Sequence, residues 1–391
     1  ASMLANPTLI YLDHNATTPV DPGVRDAMIP FLTERYGNPS SHHALGREAA
    51  EAVMLARRQL SQLLDCTSNE LIFTSGGTES SNLAIGGVIL ATDSPFSSHI
   101  VTSAIEHPAT LEPLRALERQ GCKLTVLGCD SDGTINPKEV AAAIRPNTKL
   151  VSVMHANNEI GTIQPIEAIS EICKSAGILL HVDAAQSVGK LPVSCHKLGV
   201  DLLTVAGHKF YAPKGIGGLY VKEGVALSPL VYGGGQEGGL SPGTENVAQI
   251  VALGAAAQIA KERVEQDASR IRGLRDQLEN LLEWETQGHI TIHAKSVDRL
   301  INTTSASFPD VEAVDLLTRI PHLCASTGAA CHSHSTTISA TLQSMGVAET
   351  IARGTVRISL GRFTTADQIQ QAGSALVTAW EEIRSNHSTA H

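Results

Sequence analysis

Short apolar runs alternate with stretches of helical periodicity over the first part of the chain. Residues 70–74, 99–102, 123–127, 149–154, 178–182, 201–205 and 217–221 each form an apolar run of strand length. Between several of them, residues 47–64, 137–144 and 166–175 repeat apolar side chains at helical spacing. Strand–helix alternation predicts an α/β fold with a mostly parallel seven-stranded sheet covered on both faces. Ligands of such sheets bind beyond the carboxyl ends of the strands. From 244 to about 282 the pattern turns long, helical and charged. Residues 290–293, 300–308 and 356–360 then read as strands, with helices at 311–318, 338–345 and 366–383. This second set predicts a smaller α+β domain. The Ser- and His-rich tail, 385–391, is expected to be disordered.

Composition narrows the function classes. A chain of 391 residues allows two or three domains at about 150 residues each. With 42% hydrophobic and 17% charged residues it can build a large core. The 29 Lys and Arg against 39 Asp and Glu give a net charge of -10. That balance argues against direct nucleic-acid or anionic-membrane binding, which needs clustered positive charge. No apolar run approaches the ~18 residues of a membrane-spanning helix. The first eight residues lack a charged stretch followed by an apolar one, so no signal peptide is expected there. Seven cysteines without a CxxC spacing argue against a disulfide framework or a zinc ribbon, and for a cytoplasmic protein. Aromatic residues are only 3%, so the core must be aliphatic, as in buried parallel strands.

Four predicted strands end in residues that are costly to place there. Thr74-Ser-Gly-Gly-Thr-Glu79 leads from a strand through two glycines into a helix. It fits a phosphate cup as well as an ordinary strand–helix turn. His107 follows the strand at 99–102, where a lone histidine is more often structural. Asp183 ends an apolar strand and is either a desolvated anion or a helix cap. Lys209, in Gly207-His-Lys209, is either a solvent-reaching loop lysine or a desolvated amine made nucleophilic. Jointly they match what pyridoxal phosphate requires: a Schiff-base lysine, an acid for the pyridinium nitrogen, a ring stacker and a phosphate site.

At these residues the chain closely resembles the cysteine desulfurases, class V members of the fold-type I pyridoxal-phosphate enzymes. The motifs are Tyr11-Leu-Asp-His-Asn-Ala-Thr-Thr18, Gly37-Asn-Pro-Ser-Ser41, Met154-His-Ala-Asn-Asn-Glu-Ile-Gly161, His181-Val-Asp-Ala-Ala-Gln186, Gly207-His-Lys209 and Arg357-Ile-Ser-Leu-Gly-Arg362. The resemblance implies Lys209 as the Schiff-base lysine, Asp183 as the pyridinium partner, and Gln186 on the cofactor's phenolic oxygen. It implies His107 as ring stacker and proton shuttle, and Gly77, Thr78 and His208 on the phosphate. Thr244 would reach the phosphate of the partner subunit in a homodimer. Asn38, Asn158 and Arg357 would hold the substrate carboxylate. The implied division is a large cofactor-binding domain at 16–260 and a small domain of 1–15 and 261–391.

Cys331 lies among small and polar residues, which reads as an exposed, mobile loop. His332 and His334 are placed to favour a thiolate. A Cys–His metal site there lacks a fourth ligand and the usual spacing, so no metal is expected. The loop matches the family's nucleophile loop, which implies that L-cysteine gives up its sulfur to Cys331 as a persulfide and leaves as alanine. An acceptor protein would then take the sulfur. A selenocysteine lyase acting on L-selenocysteine is the nearest rival. An aminotransferase or C–S lyase, and a non-catalytic sulfur-transfer scaffold, are more distant ones. Three positions depart from the family pattern: Gly238 and Ser241 stand where Arg is frequent, and Ala206 where a phosphate-binding Ser is common. The GxGxxG match at 233–238 lacks the strand–turn–helix setting of a dinucleotide site.

Overall fold

The seven predicted strands form one sheet in a computed structural model that describes residues 9–327, 329–332 and 335–388. For 329–332, 335–337, 387 and 388 it describes the backbone alone. The strands are β1 (Leu71–Thr74), β2 (His99–Ser103), β3 (Lys123–Leu127), β4 (Thr148–Met154), β5 (Leu179–Asp183), β6 (Leu202–Ala206) and β7 (Gly217–Val221). Their order is β1-β7-β6-β5-β4-β2-β3. All neighbours are parallel except β7, which runs antiparallel to β1 and β6. Only residues 207–216 join β6 to β7. A parallel crossover takes a dozen or more residues, so this link returns β7 in the opposite direction.

Alternate side chains of each strand feed two different cores. Ile100, Leu150 and Leu202 pack with helix α1 (Gly77–Leu90) and helix α2 (Pro108–Arg119) on one face. Val101, Val151 and Leu203, each one residue later, belong to the core on the opposite face. This two-residue period is why the strands read as continuous apolar runs. The polar exception is His181 in β5, whose ring nitrogens lie 2.8 Å from Ser152 Oγ and 2.9 Å from Thr204 Oγ1. Burial drives its pKa down to about 3, so it is a neutral bridge between strands.

Helix α3 (Val247–Glu285) belongs to two cores. Val247, Ile250, Leu253 and Ala260 pack under the large sheet. Ile271, Leu278 and Leu282 pack in a further core with Ile10, Leu12, Phe308, Ile358 and Trp380. That core lies on a four-stranded antiparallel sheet of Ser326–Thr327, Thr355–Ser359, Thr303–Ser307 and Thr291–Ile292. The start of the chain joins the same unit, because Ile10–Tyr11 pairs in parallel with Leu323–Cys324.

Two expectations need correction. The terminal helix runs Ala366–Ser388, so 385–388 are helical rather than disordered. Buried Trp380 and Ile383 anchor that end, and the Arg384 guanidinium sits 4.6 Å from the Trp380 ring centroid. The segment around Cys331 is a hairpin and not an open loop: Ala329–His332 pairs with Ser335–Ile338, with Cys331 opposite Thr336. The β-branched run Thr336, Thr337 and Ile338 supplies the strand preference that the small residues lack. Residues 1–8, on which the signal-peptide reading rests, and 389–391 lie outside the described residues.

Inside the small unit, a buried ion pair ties α3 to the segment that leads into the small sheet. Glu279 of α3 meets Arg299 with both contacts at 2.7 Å, and Thr304 Oγ1 donates to it at 2.8 Å. Their side chains are only 3% and 6% exposed. Replacing Glu279→Ala strands a buried guanidinium and is expected to lower unfolding free energy by about 3–5 kcal/mol in urea titration. A loss under about 1 kcal/mol, typical of surface pairs, would contradict this role.

Candidate active site at the carboxyl rim of the sheet

Five strand ends converge on one cavity of about 400 Å³. β1 leads to Gly77 and Thr78, β2 to His107, β4 to Asn158, β5 to Asp183 and Gln186, and β6 to His208 and Lys209. Arg357 enters from the small sheet. Nine of the residues singled out from the sequence therefore meet in one place.

Lys209 is the chemical centre. Its Nζ donates to the backbone oxygens of Asn15 at 2.7 Å and Ala16 at 2.9 Å. Burial and the Arg357 charge bring its pKa down to about 8, against the pull of Asp183 and Asp13. The Asp183 carboxyl moves the other way: burial raises its pKa, while the Ala185 N–H at 3.0 Å, His107 and Lys209 oppose the rise. His107 caps α2, its Nδ1 accepting from the Ala109 N–H at 3.1 Å. A neutral ring in that pose carries its proton on Nε2. Desolvation by the cavity walls lowers its pKa, Asp183 acts against this, and Lys209 adds to it.

The N-terminus of α1 opens onto the same space. Gly76 precedes it at φ 150° and offers no side-chain cap, which leaves first-turn N–H groups for a ligand anion. A Cβ at Gly77 would stand 3.2 Å from the Ala206 Cβ, so glycine lets the helix start pack closely against β6. His208 Nδ1 lies 3.1 Å from Thr17 Oγ1. Burial and the surrounding lysines push its pKa down to about 4. At neutral pH it is therefore an uncharged hydrogen-bonding ring.

Arg357 is already engaged. Its Nη2 donates to Asp13 Oδ1 at 2.7 Å and to Ser326 Oγ at 3.0 Å, and Nη1 to the Asn158 backbone oxygen at 3.3 Å. Its Nε is buried and has no partner among the described residues. Three of its five N–H groups are thus engaged, and those without a partner among the described residues are Nε–H and the second N–H of Nη1.

Two residues singled out from the sequence lie elsewhere. Asn38 sits in an exposed turn, its Oδ1 accepting from the Ser40 N–H at 2.9 Å. Thr244 lines a separate cavity of about 250 Å³ beside Ser75, Glu79 and Ser241. The Cys331 and His332 side chains and the whole of His334 lie outside the described residues. The departures at the mouth are locally explained. Gly238 has φ 66°, a left-handed backbone that disfavours the Arg expected there from the resemblance. Ser241 Oγ donates to Glu79 at 2.9 Å, and Glu237 is held by Arg57 and by the Phe73 N–H at 2.8 Å. The 233–238 segment holds no strand–turn–helix unit.

Sequence reasoning passed over Asp13, Asn15, Glu106 and Lys190. Glu106 is buried beside the floor of the site, and desolvation pushes its pKa up to about 8. Its Oε1 accepts from Ser103 Oγ at 2.5 Å and the Met154 N–H at 2.9 Å, while Oε2 is buried without a partner among the described residues. It is a neutral acid at pH 7. Its place next to His107, at the end of an apolar strand, was the available signal.

Among the described residues, no group of three His, Cys, Asp or Glu could hold a metal ion, and no helix is long and apolar enough to cross a membrane. The family model "Aminotransferase class-V" matches residues 10–372. The cysteine desulfurase IscS of Dictyoglomus turgidum is 42% identical over 377 residues, covering 96% of this chain and 95% of its own. A solved NifS-like protein superposes with a TM-score of 0.88 at 37% identity, over 97% of this chain and 100% of that one. A second, SspA in complex with cysteine, gives 0.80 at 35% identity, over 91% and 99%. These relatives do not favour the selenocysteine reading. The resemblance seen in the motifs thus extends over the whole fold, and the chain belongs to the class-V aminotransferase family, among relatives named cysteine desulfurases.

Proposed function

We propose that the protein is a pyridoxal-phosphate-dependent cysteine desulfurase that turns L-cysteine into L-alanine and carries the sulfur as a persulfide on Cys331. The observation that carries this reading is Lys209: a desolvated amine with pKa near 8, beside buried Asp183, in a cavity closed by a helix N-terminus. The donor set fits the cofactor. Gly77, Thr78 and neutral His208 suit the phosphate, Asp183 the ring nitrogen, and Gln186 the ring hydroxyl. When bound, pyridoxal phosphate supplies the electron sink that labilises the bonds at the substrate's Cα and Cβ.

The chain's own groups do the rest. Lys209, neutral for an appreciable fraction of the time at pH 7, serves as nucleophile and then as the base that moves the Cα proton. His107 offers an Nε2–H over the cavity for proton transfer. Arg357 and Asn158 orient the substrate carboxylate, with Asn38 as a further contact. Cys331 takes the sulfur, so that cysteine plus thiol gives alanine plus persulfide with no outside oxidant.

Thr244 in its separate cavity suits a role toward a second copy in a homodimer. The two sets of cores support the division into 16–260 and 1–15 with 261–391. Persulfide chemistry supports a sulfur acceptor, and the cysteines left free among the described residues support a cytoplasmic setting.

Borohydride reduction of the cofactor-loaded protein is expected to fix the cofactor's mass on Lys209 by peptide mapping; an unlabelled Lys209 peptide would sink the assignment. Cys331→Ala is expected to keep the visible absorption band while alanine and sulfide formation from cysteine fall at least a hundredfold, since loss of a nucleophile leaves only background transfer. Undiminished sulfide release by this variant would remove the persulfide role. An amine of pKa about 8 is protonated below that pH and reactive above it. In cofactor-free protein, Lys209 labelling by acetic anhydride should therefore rise about tenfold from pH 6 to 7 and flatten above about pH 8. A profile still climbing at pH 10 would show an ordinary lysine.

A further inference from the structure

Behind the wall carrying Lys209 stands a second lysine that the reaction above does not use. Lys190 is 9% exposed and lies four residues after Gln186. Its Nζ donates to Gln186 Oε1 at 2.6 Å and to Asn15 Oδ1 at 2.9 Å. Gln186 and Asn15 line the active-site cavity; Lys190 lines a small enclosed space on their far side. No carboxylate is paired with it among the described residues, and Asp267, in the same enclosed space, is held by Arg362 at 2.8 Å. The charged and titratable groups facing it are Lys209, Arg357, His208 and His14, with Tyr211 and Arg362 around the enclosed space. A buried amine among cations, held only by amide oxygens, is a costly arrangement for stability alone.

The geometry fixes two amides at once. An amine that donates to both must be met by their oxygens, so their NH2 groups face away from it. Asn15 Nδ2 then donates to the Asn158 backbone oxygen at 3.1 Å and Thr303 Oγ1 at 2.8 Å. Gln186 Nε2 donates one N–H to the Asn15 backbone oxygen at 3.0 Å, the same oxygen that receives Lys209 Nζ at 2.7 Å. Its second N–H has no partner among the described residues.

We propose that Lys190 is a positioning residue: by holding the amide oxygens of Gln186 and Asn15 from behind the wall, it turns the Gln186 N–H edge toward Lys209 and the cofactor's ring hydroxyl. The inference rests on the cofactor reading above. An N–H donated to that oxygen stabilises its anion and weakens proton binding at the adjoining imine nitrogen, so losing the donor raises the proton affinity there.

The test is the pH midpoint of the visible absorption band in the cofactor-loaded protein. Lys190→Met is expected to keep the cofactor on Lys209 and raise the midpoint by about one unit, a tenfold gain in proton affinity. Gln186→Leu should shift it the same way. Adding Lys190→Met to Gln186→Leu should then move it by less than half as much. A midpoint unmoved by Lys190→Met, or equal shifts in both backgrounds, overturns the proposal; a purely structural lysine would lower thermal stability and leave the midpoint in place. Should Lys190→Met not fold, Lys190→Gln is read against the same outcomes. Wild-type protein that takes up no cofactor would instead refute the cofactor reading itself.

Discussion

Desolvation at one rim of one sheet is the constraint on which the site depends. Parallel strands buried on both faces end together, and the polar groups placed at their ends lose water together. The same burial lowers the pKa of Lys209 and raises those of Asp183 and Glu106. No single side chain is unusual. Acid and base character arise because aliphatic strands deliver lysine, aspartate, glutamate and histidine to one dry place. The low aromatic content fits this design, since Leu, Ile and Val fill both faces of the sheet without polar atoms of their own.

Legibility in the sequence followed local physics. The seven strands could be read because each is a short apolar run, and the chemistry at their ends because polar residues interrupt those runs abruptly. Lys209, Asp183, His107 and Gly77 were visible in this way. The direction of β7 was not, because it depends on the length of a connection and not on composition. The Cys331 strand was hidden because Ala and Cys carry little strand preference; its partner residues Thr336 and Thr337 carry it.

Groups that act through others escaped the reading altogether. Lys190 looks like an ordinary turn lysine, and its importance lies in two amides that approach it from residues 15 and 186. Asp13 sits in a recognised motif, yet its contact with Arg357 spans most of the chain. Glu106 precedes His107 and was overshadowed by it. Each has at least one partner distant in sequence, Asn15 for Lys190, Arg357 for Asp13 and Met154 for Glu106, so no local pattern announces the whole set of contacts.

Helix α3 has a mechanical implication. Its 39 residues, about 58 Å long at 1.5 Å each, are shared between the core under the large sheet and the core that carries Arg357. A rod embedded at both ends transmits bending instead of absorbing it. Arg357 on the small sheet and the Lys209 amine on the large one are therefore held at a separation fixed by one continuous piece of backbone, and a molecule that bridges them meets a gauge of set width.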